Sequence, residues 1–302
     1  MKCYNTLNII KDGLFMAYKE SIQSKILKKI CSMVSLELTA PKGAWRGNKK
    51  LFERGCTIEK RIVNDVVCYM ITPDDMKIES IVYYLHGGGY VFHQTINHIK
   101  FCTKMARESG IRVMIIDYSV APENPYPAAL DESIKVYKYL SEEYENTKII
   151  LMGDSAGGGL ALATSIKIKE MKLMMPSKII LLSPFLDVSG ENSKMVDIEP
   201  DDPLLSIEFV KKCGRQYAGD YDLNDPYISP IHGDFKGLPE LSVYIGTHDI
   251  LYPDCCIFEE LAKKQGVKMN FIEYDKMIHV WMFYDIPEGK QAQKEIFEEL
   301  KG

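Results

Sequence analysis

From residue 80 onward the sequence alternates short β-branched apolar runs with longer stretches of helical periodicity, and this alternation constrains the fold more than any other feature. The apolar runs are "SIVYYL" (80–85), "RVMIIDY" (112–118), "KIILMG" (148–153), "KIILLS" (178–183), "LSVYIG" (241–246) and "MNFIEY" (269–274). Helical spacing fills the intervals near 96–108, 128–143, 156–172, 205–217, 254–265 and 289–300. Strands of this kind, separated by helices, call for a mostly parallel sheet covered on both faces. Upstream, "TIEKRIV" and "VVCYMIT" flank Asn64-Asp65 and read as a two-residue hairpin. Two hairpin strands and six more give an eight-stranded, doubly wound α/β sheet. Length alone would suggest about two domains, but the continuous strand order makes residues 1–302 one.

The rest of the chain limits the function classes. A net charge of −5 with no basic stripe argues against nucleic acid as a partner. No segment approaches the roughly 18 uninterrupted apolar residues of a membrane span. "MKCYNTLNIIKDGLFMAYKE" lacks the apolar core of an export signal. The 8 cysteines, none in C-x-x-C spacing, are therefore expected as mostly free thiols in a cytoplasmic protein without a metal site. Cys255-Cys256 is expected as one buried and one half-exposed helix residue. Near the amino terminus, Ile22, Ile26, Leu27, Ile30 and Val34 recur at helical intervals, which describes a partly amphipathic or simply a surface helix. Residues 184–240, with the acidic, proline-punctuated "DIEPDDPLLS", exceed what a crossover needs and read as an insertion over one end of the sheet.

Chemistry enters at "MGDSAGGGLA". Gly153-Asp154-Ser155-Ala156-Gly157 is G-x-S-x-G, a pattern that arises by accident in about one chain in ten of this length. Here a strand precedes it and a helix follows, the context in which a strained turn lifts a serine hydroxyl above the sheet. Such a serine needs a base. Along the chain the order is serine, then the acid, then histidine, which leaves His232, His248 and His279 downstream. His232 precedes the strand that should deliver the acid, and His248 adjoins Asp249. His279, after the last strand, fits. Of the acids following "LSVYIG", Asp249 lies in the loop, whereas Asp254 suits the first turn of the next helix.

"YYLHGGGYVF" (83–92) sets three glycines at the end of a strand. A phosphate cradle would need a helix with a Lys and a Ser or Thr behind it, and Tyr90-Val91-Phe92 supplies none; a bare turn needs one glycine, not three. The remaining reading is a loop whose amides approach a developing oxyanion, alongside the Ala156 amide that follows the serine. Each such donor is worth about 3–4 kcal/mol.

"HGGGYV" (86–91), "DYSVAPENPYPAALDE" (117–132), "GDSAGGGLA" (153–161), "SPFLDVS" (183–189), "GTHDILYPD" (246–254) and "MIHVW" (277–281) together resemble the hormone-sensitive-lipase-like family of α/β-hydrolase esterases. The resemblance covers most of residues 80–285. It implies a Ser155–Asp249–His279 triad and an oxyanion hole from the amides of Gly88, Gly89 and Ala156. Gly87 would shape the loop and His86 would brace it. It further implies a helical cap from about 1–50 and 184–220, no metal or organic cofactor, and a small, short-acyl ester as substrate. Three departures bear on substrate range rather than reaction class. Gly159 stands where asparagine is frequent, His248-Asp249-Ile250 replaces the usual Asp-Pro around the acid, and Val280-Trp281 replaces Gly-Phe. Trp281 either narrows the pocket or packs in the core. Cleavage of a lactone, amide or carbamate by the same triad stays open, as does a homodimer. A ligand-binding protein on the same fold would lack the histidine that is present here at 279, and the Lys- and Glu-rich amino terminus argues against a lipase lid.

Overall fold

The sheet forms because its central strands are apolar on both faces, and each face is closed by helices. In the computed structural model, which describes residues 20–33, 54–145 and 147–301, the strands are β1 (Cys56–Val63), β2 (Val66–Pro73), β3 (Ile78–Leu85), β4 (Ile111–Asp117), β5 (Lys148–Asp154), β6 (Lys178–Leu182), β7 (Leu241–Gly246) and β8 (Met269–Tyr274). Their spatial order is β1-β2-β4-β3-β5-β6-β7-β8. The hairpin β1–β2 and the β2–β4 pair are antiparallel, and every pairing from β4 through β8 is parallel. All eight expected strands are present, as is the α/β class.

The helices among the described residues are α1 (Ile22–Cys31), α2 (Ile96–Ser109), α3 (Ala128–Glu143), α4 (Ala156–Glu170), α5 (Met195–Ile198), α6 (Ile207–Ala218), α7 (Tyr252–Lys264) and α8 (Pro287–Glu299). Side chains alternate across a strand with period two, and the core divides accordingly. Tyr83, Leu85, Met114, Ile116, Leu151 and Leu181 pack on one face with residues of α3, α4 and α7, among them Val136, Leu160 and Phe258. Val82, Tyr84, Val113, Ile115, Met152 and Ile180 pack on the other with Phe101 and Met105 of α2 and Ile296 of α8. Parallel strands buried on both sides need this double cover, since neither face can meet water.

α1 is the surface helix of the two readings its apolar spacing allowed. Ile22, Ile26 and Ile30 are exposed, whereas Ser24 and Cys31 are buried. Polar contacts set its orientation. The Ser21 amide donates to the Glu288 carboxylate (2.6 Å), and the Ser21 hydroxyl donates to the same group (2.8 Å). On the next turn, Lys28 pairs with Glu20 at 2.8 Å. Val34 and most of the amino-terminal part of the expected cap lie outside the described residues. Within the 184–240 insertion, α5 and α6 form beside the carboxyl ends of the strands. Cys255 is fully buried and Cys256 partly so, because adjacent positions on α7 face different ways. No helix among the described residues is long and apolar enough to cross a membrane.

Candidate active site

β5 ends at Asp154 and α4 begins at Ala156, so one residue, Ser155, makes the whole turn. It does so at φ 51°, ψ −122°, a conformation rare for a residue with a side chain and tolerated where surrounding structure imposes it. That surrounding is tight: a Cβ on Gly157 would lie 2.1 Å from the Leu85 carbonyl oxygen, so only glycine lets α4 start against the end of β3. At Gly159, on the side of the segment after β6, a Cβ would meet the Phe185 carbonyl oxygen at 2.1 Å, so this backbone too leaves room only for glycine.

Three residues far apart in sequence meet at this edge of the sheet. The Ser155 hydroxyl donates to His279 Nε2 at 2.9 Å, and His279 Nδ1–H donates to Asp249 Oδ2 at 2.8 Å. The other carboxylate oxygen of Asp249 accepts the Leu251 amide at 3.0 Å. Asp249 is fully buried and His279 nearly so. Burial alone would push the His279 imidazole down. The Asp249 charge and hydrogen bond overcome this, Asp202 and Asp154 add to them, and the net shift is upward. His232 and His248, the other downstream histidines, do not contact Ser155. His248 faces outward to Lys28 (3.3 Å) and Asp201 (3.9 Å). Asp254 lies in the first turn of α7 and bonds Asn192, not a histidine.

The glycine loop lies directly across from Ser155. Gly88 (φ 125°) and Gly89 (φ 60°) use backbone conformations that a side chain would strain, and both line the same cavity as Ser155 and His279. Gly87 is committed elsewhere, its amide donating to Asp154 Oδ1 at 3.0 Å. The amides of Gly88 and Gly89 find no acceptor among the described residues. Ala156 opens α4, where the first N–H groups of a helix lack intrahelical partners. His86 is fully buried and stacked on Tyr118 with ring centroids 4.1 Å apart, and its Nδ1–H donates to the Gly87 carbonyl at 2.8 Å. Burial pushes its imidazole down to about 3, so it is neutral.

Two groups at the site escaped the sequence reading. His98 on α2 lines the cavity, and its Nδ1 accepts the Thr95 amide at 2.8 Å. The ring proton therefore sits on Nε2, facing Asp154 Oδ2 at 3.4 Å. Asp154 also accepts the Tyr84 hydroxyl at 2.7 Å. Burial raises its carboxyl, but His98, Tyr84 and His86 outweigh that and hold it below the ordinary carboxylate range. The second is Asp202 in the insertion, whose Oδ2 accepts the Ile250 amide at 2.8 Å beside the acid loop. Only a T-x-x-H pattern at a helix start could have drawn attention to His98. For Asp202 the sequence offers an acidic loop and nothing sharper.

The cavity measures about 180 Å³. Its walls away from Ser155 are apolar, with Phe92, Phe185, Leu204, Leu205, Phe209 and Val210 prominent. Trp281 is fully buried against Tyr274 and is not part of the lining, so it packs in the core. No group of three or more His, Cys, Asp or Glu among the described residues could hold a metal ion.

A family profile for the alpha/beta hydrolase fold matches residues 82–283. An esterase of Acinetobacter venetianus is 35% identical over 223 residues, 72% of this chain and 74% of the relative. An acetyl-hydrolase of Streptomyces hygroscopicus is 31% identical over 212 residues, 69% of this chain and 71% of its own. A crystal structure of an esterase from the bacterial hormone-sensitive lipase family superposes with a TM-score of 0.84 at 29% identity, covering 94% of this chain and 99% of that one. The fold, the strand order and these relatives agree, and the chain belongs to the α/β-hydrolase fold family, among the hormone-sensitive-lipase-like carboxylic-ester hydrolases.

Proposed function

We propose that the protein is a serine esterase for small, short-acyl esters, with Ser155 as nucleophile, His279 as general base and acid, and Asp249 as the residue that orients the imidazole. The observation that carries this is the unbroken chain Ser155 Oγ–His279 Nε2 (2.9 Å) and His279 Nδ1–Asp249 Oδ2 (2.8 Å). Both distances lie within the reach that proton transfer needs. Ser155 Oγ attacks the ester carbonyl carbon as its proton passes to Nε2. The buried Asp249 carboxylate keeps Nδ1 protonated and stabilises the imidazolium that forms. The charge gathering on the carbonyl oxygen meets the amides of Gly88, Gly89 and Ala156, with His86 and Gly87 shaping that loop. The alcohol leaves with the proton from Nε2. A water then gives its proton to His279 and attacks the acyl carbon, and the acid departs as Ser155 Oγ recovers the proton.

Cavity size supports the short-acyl preference. An apolar protein cavity of about 150 Å³ takes one benzene ring, so about 180 Å³ behind the serine suits a chain of a few carbons. The insertion walls Leu204, Leu205, Phe209 and Val210 act in this reading as a cap over the site. A reducing, cytoplasmic setting fits this reading, because a chain of 302 residues can bury a core without disulfides. A series of 4-nitrophenyl esters of increasing acyl length, run on wild type and Ser155→Ala, tests the proposal. Turnover should be highest for the short chains and lost in the variant. A rise in kcat/KM toward long chains would overturn the size preference, and turnover by Ser155→Ala at the wild-type rate would overturn the mechanism.

A further inference from the structure

The acidic loop at 199–206 is joined to the catalytic edge by the buried side chain of Asp202. Asp202 is only 8% exposed although it lies in an insertion. Its Oδ1 accepts the amides of Leu204 (2.8 Å) and Leu205 (3.0 Å), the two leucines of the cavity wall. Its Oδ2 reaches across to the Ile250 amide at 2.8 Å. Ile250 directly follows Asp249 and stands where proline is usual in the resemblance described above. Proline has no N–H to offer. The isoleucine therefore supplies a donor, and Asp202 captures it. The two carboxylates share the amides of one turn: Asp249 takes Leu251, and Asp202 takes Ile250.

We propose that Asp202 is a positioning residue for the Asp249–His279 pair, pinning the acid loop to the cavity wall through the Ile250 amide and placing a second buried negative charge beside the imidazole. The proposal rests on the triad reading above. Pinning matters because an orienting carboxylate displaced by about 1 Å can cost roughly 100-fold in rate. The second charge matters because the imidazolium forms as Ser155 attacks, and negative charge nearby stabilises it. Two buried carboxylates side by side repel. Burial first, and then the Asp249 charge, push the Asp202 carboxyl up to about 6, against the pull of His279 and of the Ile250 and Leu204 amides. The titratable groups facing these carboxylates and His279 include Asp154 on the elbow, Cys31 on α1, Cys255 on α7 and Tyr284 beyond the histidine loop.

His279 must be neutral to accept the serine proton, so activity rises with pH through its titration. A negative Asp202 favours the imidazolium and moves that limb to higher pH. Asp202→Asn removes the charge and turns one amide N–H toward a backbone donor. The acid limb of kcat/KM should then shift down by roughly 0.5–1 pH unit and become a single-proton limb, with the plateau lowered on the order of 10-fold. Ile250→Pro removes the amide but keeps the carboxyl; losing that donor pushes Asp202 further up, so the plateau should fall similarly and the limb should move down by no more than in Asp202→Asn. Because both variants break one link, the double variant should lose less than the product of the two single losses.

The experiment is the pH profile of kcat/KM for 4-nitrophenyl acetate on these three variants, with circular dichroism confirming the fold of each. An Asp202→Asn limb with wild-type midpoint and steepness would overturn the proposal. If that variant does not fold, Ile250→Pro decides: an unchanged plateau overturns the link, and a lowered plateau upholds it. Ser155→Ala and His279→Ala are run alongside. Turnover retained by these two would sink the triad reading itself, whereas their loss together with a wild-type Asp202→Asn would sink only the role of Asp202.

Discussion

Replacing Asp249 by asparagine changes one atom, and the structure dictates which way the new amide must point. Oδ1 of Asp249 accepts the Leu251 N–H at 3.0 Å, and Oδ2 accepts His279 Nδ1–H at 2.8 Å. The asparagine carbonyl is therefore held by Leu251, and its NH2 group faces His279. Nδ1 must then become the acceptor, which moves the imidazole proton to Nε2. That proton points at Ser155 Oγ, 2.9 Å away, and the ring can no longer take the serine proton. A base locked in the wrong tautomer costs on the order of 10⁴ in kcat, equivalent to about 5 kcal/mol of barrier. Stability should move little or upward, since the change also removes the repulsion between Asp249 and the buried Asp202. The assay is kcat for an aryl ester at neutral pH, paired with a thermal melt. An Asp249→Asn enzyme that folds and keeps its kcat within 10-fold of wild type would refute the assigned role, and Asp202 would be the next residue to examine for it.

Trp281→Phe should leave the acyl-length profile unchanged while lowering stability by about 1–3 kcal/mol, because the ring is fully buried against Tyr274 and does not line the cavity; a shifted profile in an ester series would place the ring at the substrate after all. Asp254 tests the electrostatics away from the site. Burial pushes its carboxyl up to about 7, against the Asn192 bond. Its unfolded counterpart ionises near 3.9, so folding is penalised increasingly as pH rises from about 4 to 7, with the penalty level above that. Asp254→Asn should therefore gain stability over wild type between pH 5 and pH 8 by an amount on the order of 1–3 kcal/mol in denaturant titrations, and a pH-independent difference would contradict the assigned burial cost.

The strands were legible because parallel strands buried on both faces leave a nearly continuous apolar record, and runs such as "KIILL" carry it without help from the rest of the chain. The elbow was equally local: Gly153, Ser155 and Gly157 sit within five residues, and the crowding of α4 against β3 leaves no room for other residue types. Asp249 and His279 could be singled out because strand order fixes which loops reach the elbow. Placement across the fold was another matter. Nothing near Asp202 announces that its carboxylate meets the amide of Ile250, 48 residues on, and His98 belongs to a helix whose own pattern explains it without reference to Asp154. The orientation of α1 was hidden for the same reason. Its isoleucine spacing fits a partly amphipathic or a plain surface helix equally, and Glu288, 267 residues from Ser21, holds the helix by its polar end. Trp281 could have filled either the pocket or the core, and only the packing of the short helical turn at 281–283 against β8 and α8 decides for the core.

Capture of the acyl-enzyme tests the central claim most directly. Wild-type protein mixed with a 4-nitrophenyl ester, quenched in acid within the first turnovers and digested, should carry the acyl mass on the peptide containing Ser155 and on no other. Ser155→Ala should show neither the adduct nor turnover. Steady turnover without an adduct on that peptide, or an adduct on another residue that forms as fast as product is released, would contradict the account.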